Sequence, residues 1–208
     1  TAIGVQFAAE RVTLNDVDLH GIEQAARIAR YQALSRLCLQ HQVSLLLTAH
    51  HQDDQAETVL LQLLRGAGLP GLSAMAGLHL QHELLGGQLA LGRPLLNFSR
   101  SRLETLAQEW NLASITDESN ADTRYRRNAV RQLVTPILEQ HFPGFAAQVT
   151  RSSQHMQAAQ RLLDELAAAD FRACAQDNAI KLDQLALLSA DRIDNLLRYW
   201  LQQLHIDR

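Results

Sequence analysis

The spacing of apolar positions changes several times along this chain, and each change predicts a new element. The β-favouring residues Ile3, Val5, Phe7 and Val12 run through 3–14 until Asn15-Asp16 breaks the pattern, which predicts a strand and a turn. From Gly21 to about Gln40, the residues Ile22, Ala25, Ala26, Ala29, Ala33, Leu34 and Leu37 recur three and four apart, the spacing of an amphipathic helix. The short apolar run from Val43 to Thr48 then reads as a buried parallel strand, and a helix is expected at about 54–65, stopped by Gly66 and Gly68. Strand, helix, strand and helix in that order predict an α/β unit, because parallel neighbours need a crossover connection.

Further on, 78–91 reads as a hairpin turning at Gly86-Gly87. Residues 99–110 and 126–141 read as helices around an irregular polar stretch at 116–125. Beyond Pro143 the chain becomes rich in Ala, Gln, Leu, Arg and Asp, with helical spacing through 175 and again over 189–204. Two domains are therefore expected: a partial α/β domain over 1–142, and a helical linker with the start of a second domain over 143–208.

Composition narrows the function classes. A formal charge of -3 means that any nucleic-acid contact must come from a local arginine cluster and not from the bulk field. Cys38 and Cys174 lie far apart and outside any CxxC spacing, which fits a reducing, cytoplasmic location and argues against a disulfide framework or a cysteine metal site. No apolar stretch is long enough to span a bilayer, so no membrane partner is expected. The opening Thr-Ala-Ile-Gly-Val-Gln-Phe reads like a strand already under way, so a chain truncated at its front is expected. The oligomeric state is not set by the sequence, which leaves a homodimer open.

The richest chemistry lies in Thr48-Ala-His-His-Gln-Asp-Asp-Gln-Ala-Glu-Thr58, which crosses from the carboxyl end of a strand into a helix, the edge where open α/β sheets bind ligands. A local reading makes Asp54 an N-cap and Glu57 its capping-box partner. That leaves His51, Asp53 and Gln55 unexplained. Carboxylates also suit magnesium, although adjacent residues on one helix do not face a single point, which favours an ion shared with a nucleotide over a closed protein cage. Elsewhere, Glu23 and Arg27 are spaced as an ordinary i,i+4 pair, and Arg65 is a cation at a helix end. Arg124, Arg127 and Arg131 can share a helical face. They read either as solvated charge paired with Asp117, Glu118 and Asp122, or as a phosphate-binding cluster.

His51-x-Asp53-Asp54-Gln55-x-Glu57-Thr58, followed by Leu-Leu-Arg65-Gly66-Ala-Gly68-Leu-x-Gly71-Leu72, closely resembles the tRNA(Ile)-lysidine synthetases of the PP-loop ATP pyrophosphatase superfamily. Three further stretches are similar to the same family and occur in family order. They are Gly21-Ile-Glu23-x-x-Ala-Arg27-x-x-Arg30-Tyr31, then Arg93-Pro94-Leu-Leu, then Asp117-x-Ser119-Asn120-x-Asp122-x-x-x-x-Arg127-Asn128-x-x-Arg131. The resemblance spans about 21–143 and implies a partial adenine-nucleotide alpha-hydrolase-like parallel sheet layered with helices, followed by an all-α C-terminal segment. The family's Ser-Gly-Gly-x-Asp-Ser phosphate loop does not occur in the chain, so the chain alone is expected to be inactive.

What the resemblance implies for function is an ATP-dependent ligase. It adenylates carbon 2 of the wobble cytosine in an isoleucine tRNA with a CAU anticodon, and the amine of free L-lysine then displaces AMP. ATP and Mg2+ are the implied cofactors. His51, Asp53 and Asp54 are the implied catalytic residues, with both aspartates as candidates for the ATP-bound magnesium. Arg30, Arg127, Asn128 and Arg131 are implied for ATP or tRNA, and Glu23, Arg27, Gln55, Glu57 and Arg65 for support. Replacing Arg127 or Arg131 by alanine is expected to weaken ATP or tRNA engagement while leaving stability nearly intact. Two other readings stay open: another PP-loop enzyme such as a tRNA thiolase, for which the isolated cysteines give little support, and a non-catalytic helical RNA-binding module.

Overall fold

The computed structural model describes residues 4–14, 17–113, 122–176 and 179–204. The chain divides into two compact units. One comprises 1–55 with 75–116, and the other 56–74 with 117–208.

In the first unit, helix α1 (Val17–Gln40) turns Ala25, Tyr31, Ala33 and Cys38 inward, and Tyr31 and Cys38 join Leu85, Leu89 and Leu91 in a core that Leu46 and Leu84 complete. Gly21, with a φ of 75°, kinks the element and divides it into a short first helical stretch and a longer second one. Strand β1 (Leu45–Leu47) pairs in parallel with β3 (Ala90–Gly92), and β2 (Leu78–His79) pairs with β3 in antiparallel fashion, giving the order β1-β3-β2. A Cβ on Gly92 would lie 2.6 Å from a Leu47 methyl, so a larger residue there would push the exposed Leu47 side chain aside. The β2–β3 connection passes through a short 3-10 turn (Glu83–Leu85) and then Gly86 and Gly87, with φ of 71° and 68° that β-carbon-bearing residues rarely adopt.

Helix α2 (Gln52–Leu64) follows β1, and α4 (Arg100–Glu109) follows the β3 segment with Ser99 as its N-cap. The second unit holds the rest of α2 together with α3 (Leu69–Leu72), α5 (Arg126–Ala129) and α6 (Thr135–His141). A π-helical segment at Val130–Val134 joins α5 to α6, so the helix expected over 126–141 is interrupted. The tail contains α7 (Phe145–Cys174), α8 (Leu182–Leu185) and α9 (Ala190–Gln203). The half-buried ion pair of Asp170 with Arg192 ties α7 to α9.

Three expectations need correction. The described residues of 4–14 form no strand. Val5 and Phe7 stand exposed, and β-favouring residues alone do not make a strand where no sheet ladder includes them. Strand β1 is parallel as expected but is not buried, since Leu45 and Leu47 are 43% and 59% exposed at the sheet edge. The helical tail also contains a two-residue antiparallel pair, β4 (Ala175–Gln176) with β5 (Ala179–Ile180). The polar stretch at 114–121, with Asp117, Glu118, Ser119 and Asn120, lies outside the described residues.

Candidate active site

At the carboxyl end of β1 the backbone stays tied to the sheet through the Thr48 N–H, which donates to Gly92 O at 3.0 Å. Thr48 and His50 are two apart on extended chain and point to the same side, and the Thr48 hydroxyl lies 2.9 Å from His50 Nδ1. His51 then caps α2. Its N–H donates to Asp54 Oδ2 at 3.0 Å, and the Asp54 N–H approaches His51 Nδ1 at 3.4 Å, a reciprocal capping box with histidine as the cap. The box is one turn earlier than the Asp54–Glu57 register expected from sequence, because the helix starts at Gln52 and places Glu57 in its second turn.

Asp53 performs a different task. Its Oδ2 accepts the N–H of Arg100, the first residue of α4, at 2.7 Å, while the Gln52 N–H donates to Phe98 O at 2.9 Å. Asp53 thus sets a negative charge against the N-terminus of α4. The hydrogen bond from His51 holds the Asp53 carboxyl below the ordinary range; burial, the next largest influence, opposes it, and the Arg100 N–H lowers it further. Gln55 is buried and uses both ends of its amide on one residue: Nε2 donates to Met75 O at 2.9 Å, and Oε1 accepts the Met75 N–H at 3.0 Å.

A cleft of about 380 Å³ opens beside this turn, lined by Arg30, Tyr31, Leu34, Thr48, Ala49, His50 and Asp54. Of the catalytic residues expected from sequence, only Asp54 lines it. Among the residues expected to bind ATP or tRNA, Arg30 does. Arg27 lies next to it on α1, and the Glu23 side chain lies outside the described residues. Among the described residues, no three His, Cys, Asp or Glu side chains form a group that could hold a metal. The donor set suits a magnesium ion carried by nucleotide phosphates with a single protein carboxylate, not a protein cage.

The other expected residues gather in the second unit. Glu57, 2% exposed, accepts from Arg131 Nε at 2.7 Å and Nη2 at 2.8 Å, and from Arg127 Nε at 3.1 Å. Asn128 Nδ2 donates to Asp122 O at 3.0 Å, and Arg124 pairs with the Asp122 carboxylate. Arg65 is exposed just past the end of α2. The expectation that alanine at Arg127 or Arg131 spares stability rested on exposed charge. Both side chains are only about a quarter exposed, and both partner a buried carboxylate.

Tyr31, Arg93, Thr48 and His50 all stand within stretches singled out in the sequence, but none of them had been given a role there. Their one signal was position: Thr48 and His50 end a strand, and Tyr31 adjoins Arg30.

Residues 1–138 match the model of the PP-loop domain family. This chain belongs to that family. Within it, the chain is 49% identical over 205 residues to a tRNA(Ile)-lysidine synthase of Burkholderia pseudomallei, covering 98% of this chain and 41% of that protein. The tRNA(Ile)-lysidine synthase of Pseudomonas aeruginosa is 46% identical over 215 residues, covering 98% of this chain and 46% of that one. The chain therefore spans less than half the length of these curated relatives. The solved structure of the U34-tRNA thiolase NcsA from Methanococcus maripaludis shares the fold, with a TM-score of 0.53 at 17% identity over 69% of this chain and 46% of that one.

Proposed function

We propose that this protein is a tRNA(Ile)-lysidine synthase, which joins L-lysine to carbon 2 of the wobble cytidine in the CAU-anticodon isoleucine tRNA and converts ATP to AMP and pyrophosphate. The observation that carries the reading is 49% identity over 98% of the chain to a tRNA(Ile)-lysidine synthase, an alignment that takes in the strand-end turn and its cleft. We read 1–142 as the nucleotide-handling domain and 143–208 as a helical linker leading into a second one. The reading places the protein in the cytoplasm, and among the described residues no helix is long and apolar enough to cross a membrane.

The chemistry asks for two displacements. Cytosine O2 attacks the α-phosphorus of ATP and pyrophosphate leaves, because the unmodified oxygen is a poor leaving group. An amine of lysine then attacks carbon 2, the carbon–oxygen bond breaks, and AMP departs with that oxygen while the amine gives up a proton. Arg30, Thr48 and His50 are suited to orient phosphate oxygens in the cleft. Asp54 is the carboxylate placed to hold the cationic amine, accept its proton or meet an ATP-borne magnesium ion. Asp53 supports the site through α4, and His51 through the cap of α2.

Among the described residues Cys38 and Cys174 are both buried, which gives sulfur transfer no exposed thiol. The test is to supply the full-length protein with ATP, isotopically labelled lysine and the CAU isoleucine tRNA, and to digest the product for mass spectrometry. ATP-dependent label on the wobble cytidine is expected. Sulfur incorporation from a sulfur donor, or tRNA binding without any modification, contradicts the proposal.

A further inference from the structure

Tyr31 is the most enclosed of the cleft's lining residues, 2% exposed, yet it carries a phenol that the buried core around it does not require. Three kinds of contact converge on it. His82 stacks on the ring with centroids 5.7 Å apart and planes inclined by 6°. The guanidinium carbons of Arg27 and Arg30 lie 5.3 and 5.8 Å from the ring centroid. Arg93, itself buried, is in electrostatic and hydrogen-bonding contact with Tyr31, and its Nη1 donates to Ala76 O at 2.9 Å.

The Arg30 contact is the unexpected one. Arg27 is one helical turn from Tyr31 and faces it naturally, whereas adjacent residues on a helix point about 100° apart and do not normally meet. For Arg30 to reach its neighbour's ring, the side chain must fold back along the helix. An exposed arginine that does so restricts a long, rotamer-rich side chain, and attraction to the ring face is the compensating interaction. His82 suits the role of stacking partner for such a platform. Burial first, and then the positive charge of Arg93, His79 and Arg27, push its pKa down to about 4, so it is neutral near pH 7 and does not repel the guanidiniums.

We propose that Tyr31 is a positioning residue, its ring fixed by His82 and Arg93, that holds the Arg30 guanidinium in the cleft, ready for an anionic group of ATP. This rests on the nucleotide reading of the cleft given above. Substitutions at position 31 should then act through Arg30 and change the concentration of ATP required more than the rate at saturation. Tyr31→Phe keeps the ring, and Tyr31→Leu removes it. Pentafluorophenylalanine at position 31 keeps the volume while reversing the charge on the ring face, which keeps the test decisive if the leucine variant does not fold.

Two measurements on the full-length protein separate this proposal from the function it rests on. The first needs no ligand: the NMR signal of the Arg30 side-chain Nε–H, assigned by its loss in Arg30→Lys, should be displaced by the ring current in the wild type and Tyr31→Phe. That displacement should collapse in the leucine variant, and the pentafluorophenylalanine protein should shift the signal away from both ring-bearing forms. The second is the KM for ATP in lysine incorporation, expected to rise about 2–5-fold in the leucine and pentafluoro variants with kcat little changed, as an exposed cation–π contact predicts. An Arg30 signal that ignores the residue at 31 overturns the proposal. So does a signal that responds while KM stays fixed. If lysine incorporation is absent altogether, the nucleotide reading fails, and the Arg30 signal still shows whether Tyr31 holds the guanidinium.

Discussion

Asp54 and Glu57 sit three residues apart on the same helix and meet opposite fates. Asp54 accepts the backbone N–H of its own N-cap and lines an open cleft. Glu57 is closed off by two guanidiniums and is not among the residues lining that cleft. A carboxylate held by a backbone donor keeps its charge and a face for chemistry, whereas one clasped by two arginines spends its charge on holding segments together. Family motifs place both residues in one string. The physical difference lies in which unit of the chain each residue belongs to.

The largest effect should therefore come from the clasp. Glu57→Gln removes the charge that Arg127 and Arg131 share and should cost about 3–5 kcal/mol, the range for breaking a buried pair. Urea unfolding followed by Trp200 fluorescence in a Trp110→Phe background would read this in the second unit. A loss below about 1 kcal/mol would place Glu57 among the surface charges.

Next comes an acid transition in the first unit. His82 has a folded pKa of about 4 against an unfolded value near 6.5, so its contribution is complete above pH 6.5 and is lost as pH falls through about 4. Lowering the pH from 7 to 4 should remove on the order of 1–3 kcal/mol from the wild type, and His82→Asn should lack that part of the slope. Asp53, with its carboxyl lowered, contributes above its unfolded value of 3.8 and loses that contribution at still lower pH, so the two windows separate.

Smaller still is the α4 cap. Asp53→Asn keeps an acceptor for the Arg100 N–H but removes the charge at the α4 N-terminus, which should cost about 0.3–1 kcal/mol, and hydrogen exchange should quicken at the first amides of α4 before it quickens in α1. The exposed pair of Arg124 with Asp122 marks the floor: Arg124→Ala should leave the thermal unfolding midpoint essentially at the wild-type value.

Much of this was legible in the sequence because it is periodic or local. The three- and four-residue spacing over 21–40 gives a helix, and the Val43–Thr48 run gives a parallel strand leading into a turn of carboxylates. What escaped is long-range. Nothing local says that Glu57 meets arginines more than 65 positions away, that Gln55 grips Met75, or that Asp53 caps a helix beginning at Arg100. The strand expected over 3–14, which the described residues 4–14 do not form, shows the same limit: β-favouring residues mark a segment that can join a sheet, and only a long-range ladder decides whether it does.

The central claim is that two adjacent aspartates divide the labour, Asp54 serving the chemistry and Asp53 the architecture. The direct measurement is ATP-dependent lysine incorporation by Asp53→Asn and Asp54→Asn in the full-length protein, each paired with its unfolding free energy. The account predicts that Asp54→Asn lowers turnover by about 100-fold or more, as loss of a general acid–base group does, with stability reduced by no more than about 1 kcal/mol. Asp53→Asn should keep turnover within about tenfold of wild type while showing the small loss of stability from removing the charge at the α4 N-terminus. Wild-type turnover in Asp54→Asn, or an equal collapse of turnover in Asp53→Asn with stability unchanged, would contradict it.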